Sequence, residues 1–448
     1  MDENETTPGK RRRLIIPYIS IILLLICVCT FVLYRLNSKS KLQARIDAIR
    51  AAGYPVTCTE LDQWYTIPEN TENAAYAIID AFSYYKLWDK DKSESLPVVG
   101  RGELPVHTEQ LDEEMEALIT QYVADNNEAL KLLHAGAAIE HSRYPIDLSA
   151  GFATLLPNMS DIRTAIRLLK LEGILHAENG DDELAVRSAI SIFGIARSLE
   201  KEPVLVSQLC RSSCKFLAAT TIEYCINKIE LTDEQLIQLI DCVHNAECIS
   251  GISRAFVGER CMGLHFFMAP ESMNVNIIRG IPYRRIHKIY KAVGLLDSDT
   301  IIYLDIMGEY IKSARLPLHQ RQEAITAIEA KLQSTSQAHV LLHLMMPALS
   351  RVAAFDLGAI AQLRTARVAL VIERYRLAAG KLPDALVDLV PAYLDSVPSD
   401  PFDGNELRYK KLEAGFVVYS VGEDLSDDGG KEETKESKYS DMTFIVER

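Results

Sequence analysis

The sequence predicts a mainly α-helical protein in three parts: an N-terminal transmembrane helix, an irregular α-helical array and a small C-terminal α+β unit. Three observations carry that expectation. A charge-free apolar run follows a basic cluster near the N-terminus, and apolar residues recur at helical spacing from about residue 108 to 379. At Gly380 the pattern changes to short β-like runs separated by turns. The 448 residues allow two or three domains, and 48% hydrophobic residues suffice for packed cores. A net charge of −14 without a compensating basic stripe argues against nucleic acid as a partner. It also suggests a soluble surface rather than a body that lies on anionic lipid.

The apolar run is LIIPYISIILLLICVCTFVLY, residues 14–34. At about 21 residues it is long enough to cross a bilayer as a helix. It ends in bulky Phe31, Leu33, Tyr34 and Arg35 rather than in a small-residue cleavage site, so it reads as an uncleaved anchor. Tyr18 and Tyr34 suit the two membrane interfaces. The Lys10–Arg13 cluster favours a cytoplasmic N-terminus (1–13), although Arg35, Lys39, Lys41 and Arg45 nearly balance it. The rest of the chain is then expected outside the cytoplasm.

Residues 35–107 read as a neck and short helices. In KLQARIDAIRAAG (41–53), Leu42, Ile46 and Ile49 share one helical face and Gly53 is a stop. Thr57 or Thr59 can cap a short helix before Ile67-Pro68, and Asn70, Thr71 or Asn73 can cap the next one. The stretch 89–107 is charged and carries Pro and Gly, as a loop would. Residues 108–350 read as the helical domain. LEGILHAENGDDELAVRSAISIFGIARSL resembles a tetratricopeptide-type hairpin, with small residues at the helix crossing and a Gly-Asp turn. No 34-residue period recurs elsewhere, so the array is expected to be irregular. The segment 264–300, with Pro270, Gly280 and Pro282, is less regular, and the last long helical stretch, 338–379, should break near Pro347.

Residues 351–448 form the predicted α+β unit. A helix ending at Gly380 and Pro383 leads into a short helix, PDALVDLV, and three strand candidates, LRYKK, GFVVYS and DMTFIV. Between the last two strands lies YSVGEDLSDDGG (419–430). Asp424, Ser426, Asp428 and Gly429 fit the opening of an EF-hand loop, but the twelfth position is Lys435 and no exit helix follows, which excludes that motif. Clustered oxygen ligands on a glycine-permissive loop still suit Ca²⁺. Composition alone favours a solvated acidic turn.

The ordered turns of this unit resemble the globular part of the major pseudopilin of type II secretion. The resemblance rests on Tyr375, Arg376, Gly380 and Pro383; on Asp400, Pro401, Phe402 and Gly404; on Tyr409, Tyr419, Ser420, Gly422 and Asp424; and on Gly429, Gly430 and Asp441. It covers about a fifth of the chain. It implies a Ca²⁺ site in which Asp424 and Asp441 are the leading side-chain ligands and Val421 offers a backbone carbonyl. Asp427, Asp428 and Ser426 would assist. Two departures count against processing or assembly as a pseudopilin: Gly9 is followed by Lys10-Arg11-Arg12-Arg13, and some 300 helical residues separate the span from the unit. The insertion KEETKESKY before Asp441 weakens the transfer of that ligand. The wider layout, including IRAAGYPVT, the NAA of 73–75 and the helical middle, resembles a large bacterial family of membrane-anchored proteins that brings no established activity. Together these resemblances imply a single-pass protein of the bacterial inner membrane with its bulk in the periplasm.

Other constellations are weaker. His339 and His343 stand i, i+4 as zinc ligands can, but HVLLH lacks the H-E-x-x-H glutamate, which favours packing between helices. Asp112–Glu116 reads as a solvated helix start, and Arg284, Arg285, His287 and Lys288 as a local basic patch. Seven cysteines outside the span cannot all pair internally, and Cys210 and Cys214 at i, i+4 have poor disulfide geometry. No G-x-S-x-G, Walker loop or dinucleotide fingerprint is present. The expectation is a non-enzymatic, membrane-anchored scaffold that binds protein partners in the cell envelope, with a calcium-stabilised C-terminal unit and no identified small-molecule substrate. The alternatives are an accessory component of a type II secretion or pilus-like system and, lower, a hydrolase whose site is assembled from scattered residues.

Overall fold

The computed structural model describes residues 8–106, 108–248, 250–270, 276–278, 280–346, 349–431 and 441–447. Span and neck are one helix, α1 (Pro8–Ala51). No glycine or proline interrupts it between Tyr18 and Ala51, so nothing breaks the backbone ladder. Its large apolar side chains from Tyr18 to Leu36 are 42% to 67% exposed, and only towards the end of this segment do the Phe31 and Tyr34 rings approach another element, at Gly294. This helix is long and apolar enough to span a membrane.

The other end of α1 is anchored to protein. Ile46 is buried, with Leu42 and Ile49 packed beside it on the face read from the sequence. Arg45 Nε meets Asp305 Oδ1 at 2.8 Å, and the Arg35 guanidinium donates to the carbonyl of Lys291. Gly53 adopts φ +79°, the left-handed stop that glycine permits without strain.

Short helices follow: α2 (Cys58–Trp64), α3 (Ala74–Phe82), the single turn α4 (Lys90–Ser93), α5 (Glu113–Asp125) and α6 (Asn127–Ala138). Of the candidate caps, Thr57 forms a capping box with Glu60, and Asn73 accepts from the Ala75 amide. The array proper comprises α7 (Met159–Glu178), α8 (Asp182–Ser198), α9 (Leu205–Lys228), α10 (Asp233–Ala246) and α11 (Ser250–Met268). Gly180 (φ +75°) turns α7 into α8, where the sequence placed the break. Gly173 lies against Thr221 of α9 and Ser188 of α8, which lets three backbones approach closely.

The stretch expected to be less regular holds more structure than its prolines suggested. Strands β1 (Asn276–Ile278) and β2 (Ile281–Pro282) pair, and α12 (Tyr283–Val293) starts directly after Pro282. Proline suits that place because it fixes φ and supplies no donor the first helical turn needs. The remaining helices are α13 (Leu295–Ser313), α14 (Leu318–Gln333), α15 (Val340–Met345) and α16 (Leu349–Ala379). The expected break at Pro347 lies outside the described residues. The stretch Val340–Ala379, which takes in α15 and α16, is also apolar enough to pass as a span, yet Leu357, Ile360, Leu363, Ala366 and Leu370 of α16 are each at most 1% exposed inside the protein. Its apolarity is core.

After Gly380 (φ +68°) come a 3₁₀ turn (Leu386–Leu389) and β3 (Arg408–Leu412), β4 (Gly415–Ser420) and β5 (Met442–Glu447). They form an antiparallel sheet in the order β3-β4-β5. Val418 faces Tyr409 on one side and Phe444 on the other. Phe416, Val418, Phe444 and Val446 enter the same apolar core as α7, α8 and α9, while Leu363–Ile372 of α16 add to it and Leu349 and Ala353 join the second core with α11, α13 and the neck. The array and the sheet therefore share one interior.

The outer edge of β5 is closed by side chains. Asn227 of α9 donates to the carbonyl of Ile445 and accepts from the Glu447 amide, Glu223 accepts from the Ile445 amide, and Gln362 of α16 donates to the carbonyl of Thr443. Helix side chains thus do for this edge what a further strand would do, which removes a template for pairing with another chain.

Candidate functional site

Ser420 and Val421 end β4 against Asp400, which comes from the Ser-Asp-Pro-Phe-Asp-Gly turn. Asp400 is 1% exposed. Its Oδ1 accepts from the Phe402 amide (2.9 Å) and Ser420 Oγ (2.8 Å), and its Oδ2 from the Val421 amide (2.9 Å) and Arg408 Nη1 (2.7 Å). Arg408 also binds Asp403, whose carboxyl is held below its usual range: burial alone would raise it, but Arg408 and Asn405 donate to it and outweigh that. The sequence marked Asp400 only as part of a turn. Its role as the staple between that turn and the strand exit depends on Ser420 and Val421 lying beside it, twenty residues away.

The six residues proposed for the cation do not come together as one ligand set. Asp441 reaches back to the loop, and its Oδ2 accepts from the Gly430 amide at 2.8 Å. Its Oδ1 is buried and has no hydrogen-bond partner among the described residues, while the backbone of Asp428, like that of Gly430, favours the ionised carboxyl. Burial, together with the nearby charges of Asp427 and Asp428, raises its carboxyl above the usual range. Asp424 instead lies exposed, with Oδ1 accepting from the Ser426 amide (3.0 Å), and Asp427 Oδ1 accepts from the Gly429 amide (2.9 Å). Both are turns in which an aspartate satisfies its own loop. Val421 is buried, with its amide on Asp400. Among the described residues, no three His, Cys, Asp or Glu side chains converge as a ready metal shell. Within the set, Asp441 with Asp427 and Asp428 is the part whose chemistry suits a cation, since its buried oxygen and mutual repulsion would both be relieved by one. The KEETKESKY insertion, apart from its first residue, lies outside the described residues.

His339 and His343 do not form a pair. His339 Nδ1 lies 2.5 Å from Asp299 Oδ1; Asp299 is fully buried and its Oδ2 accepts from the Leu342 amide (3.2 Å), so the histidine ties α15 to α13. The basic patch at 284–288 loses His287, which is buried with Nε2 on the carbonyl of Phe267 (2.9 Å). All nine cysteines are free thiols.

A concavity of about 970 Å³ lies where α10 and α16 meet the loop before α14 and the Pro398–Gly404 turn. Arg364 crosses it, bound to Glu247 and to Ser399. A smaller cavity of about 280 Å³ adjoins it through Asn245 and runs between α6, α8, α9 and α10. Neither is legible in the sequence, because their linings come from segments a hundred residues or more apart.

Comparison with protein-family models, with curated proteins and with solved structures gives no match.

Proposed function

We propose that the protein is a single-pass, membrane-anchored scaffold of the bacterial envelope, non-enzymatic, with its helical body on the periplasmic side offering grooves to protein partners. The observation that carries this reading is the continuity of α1: an exposed apolar segment passes without a break into a segment docked on the body through Ile46 and Arg45–Asp305. A rigid connection of this kind holds the body at a fixed height and attitude to the bilayer, which a flexible tether would not. The Gly173 crossing and Gly180 turn support a tetratricopeptide-like hairpin over α7–α8. In intact spheroplasts, added protease should digest the body and spare an N-terminal tag. Digestion of the tag with protection of the body would overturn the orientation.

The C-terminal unit is, in this reading, pseudopilin-like in build and stabilised by Ca²⁺. The buried Asp441 Oδ1 and the repulsion it feels from the charges of Asp427 and Asp428 support it. Calcium would act structurally, neutralising carboxylates that otherwise repel. At a hundredfold excess over Kd, one such ion stabilises the folded state by about 2.7 kcal/mol. Thermal unfolding should therefore shift upward with Ca²⁺ and back with EGTA, and Asp441→Asn should remove the shift. With Asp424→Ala the shift should shrink, since the resemblance makes that residue a ligand. Absence of any calcium-dependent shift, or an equal shift in Asp441→Asn, refutes the metal.

A further inference from the structure

We propose that the cavity between α6, α8, α9 and α10 is a binding site for a small carboxylic acid with a compact apolar body. Helix α9 sends Arg211 and Lys215 to it from one face, since residues four apart lie above one another on a helix. Both are almost wholly buried, at 3% and 1% exposed. Among the described residues, Lys215 Nζ has no hydrogen-bond partner, and neither has Arg211 Nε. The other guanidinium nitrogens of Arg211 make only long contacts, 3.4 Å to the carbonyl of Cys248 and 3.5 Å to Glu200 Oε2.

Buried cations without partners are costly, and two of like sign on adjacent turns are costlier still. The acidic groups nearby do not cancel them. Glu200 stays partly in solvent, and Asp356 has one oxygen occupied by Ser212 Oγ. Burial, with Arg211 adding repulsion, pushes the Lys215 ammonium down to about 8, while Asp356, Cys248 and Glu200 pull the other way. Gly251 sits where a Cβ would strike Arg211 Nη1 and Gln208 Oε1, so the guanidinium is held in its place by a close backbone. An anion entering the cavity would supply the partner these atoms lack.

The rest of the lining sets the ligand's body. Ala137, Ile190, Phe193, Ala196 and Ala246 are apolar. Arg197, at the same cavity, is already committed to the carbonyls of Ala137 and Ile139. A volume of about 280 Å³ falls just below the usual range of small-molecule sites, which run from about 300 Å³ upward, so the ligand must be small. Inorganic phosphate would satisfy the cations but leave the apolar wall unused. A carboxylate on a short aliphatic or aromatic body matches both halves.

The test is thermal unfolding of the full chain in detergent at constant ionic strength, titrated separately with phenylacetate, phenylacetamide and inorganic phosphate. Phenylacetate is expected to raise Tm by a few degrees in a saturable manner, with phenylacetamide inert and phosphate weaker. Lys215→Met should weaken phenylacetate at least about tenfold, the scale of one charge-assisted hydrogen bond. Because methionine removes an unpaired buried charge, this variant should melt no lower than the wild type. Ala138→Phe, on the exposed rim, should block entry without touching either cation or the core. No saturable shift, an equal shift with the amide, tighter binding of phosphate, or undiminished binding in both variants would overturn the proposal.

Discussion

Asp400→Ala is expected to unfasten the C-terminal sheet from its turn and lower the unfolding free energy by about 3–5 kcal/mol. The substitution removes one buried carboxylate and leaves four donors without it: the amides of Phe402 and Val421, Ser420 Oγ and the Arg408 guanidinium. Three of them belong to buried residues, for which an unmatched donor costs about 1–3 kcal/mol. Arg408 keeps Asp403, so it is not stranded, and that moderates the loss. Asp400→Asn preserves shape but loses the charge and introduces an amide donor facing other donors, so it should fall between alanine and the wild type. Asp424→Ala, on the exposed loop, should change stability by less than about 0.5 kcal/mol in the absence of calcium. Urea unfolding followed by far-UV circular dichroism measures all three. A loss below about 1 kcal/mol for Asp400→Ala would show that the network does not hold the unit.

Glu172→Ala should cost about 3 kcal/mol for a different reason. Glu172 sits on α7 at 5% exposure, and its Oε2 accepts from Ser188 Oγ of α8 (2.7 Å) and lies 2.8 Å from His134 Nε2 of α6. His134 Nδ1 in turn meets Ser191 Oγ at 2.7 Å. One carboxylate thus joins three helices through groups that are buried or, for His134, largely so. Burial by itself would raise its carboxyl, but the donors from His134 and Ser188 outweigh that and hold it below the usual value. An acid whose folded-state value is depressed contributes stability above its unfolded value, and that contribution is lost as pH falls through the depressed one. The gap between wild type and Glu172→Ala should therefore be full at neutral pH and narrow below about pH 4.5. Glu172→Gln keeps an acceptor for Ser188 and should cost less than alanine. A gap that stays constant down to pH 3 would mean that the carboxylate's charge is not what joins the helices.

The two residues differ in how much the sequence reveals of them. Asp400 is visible as one member of a Pro-Asp-Gly turn, a local signal whose chemistry is read within four residues. Glu172 stands in LEGIL among apolar neighbours, and nothing local says whether it faces solvent or two other helices. The same contrast runs through the chain. The caps at Thr57 and Asn73, the reversals at Gly180 and Gly380 and the three C-terminal strands rest on local backbone rules, and they lie where those rules put them. The pairing of β1 with β2, the loss of His287 from the basic patch and the partnership of His339 with Asp299 rest on contacts between distant segments. Spacing could not supply them.

By itself the sequence determined the class of the protein, because hydrophobic length and period are local quantities: an apolar helix long enough for a bilayer, a helical body and a small antiparallel sheet. Only the tertiary structure decided how these parts join. α16 passes through both main cores, side chains of α9 and α16 close the β5 edge, and Lys215, with Arg211 beside it, is brought without a hydrogen-bond partner among the described residues to an apolar cavity. Each depends on which segments lie beside one another, and that is settled by packing over the whole chain rather than by any stretch of it.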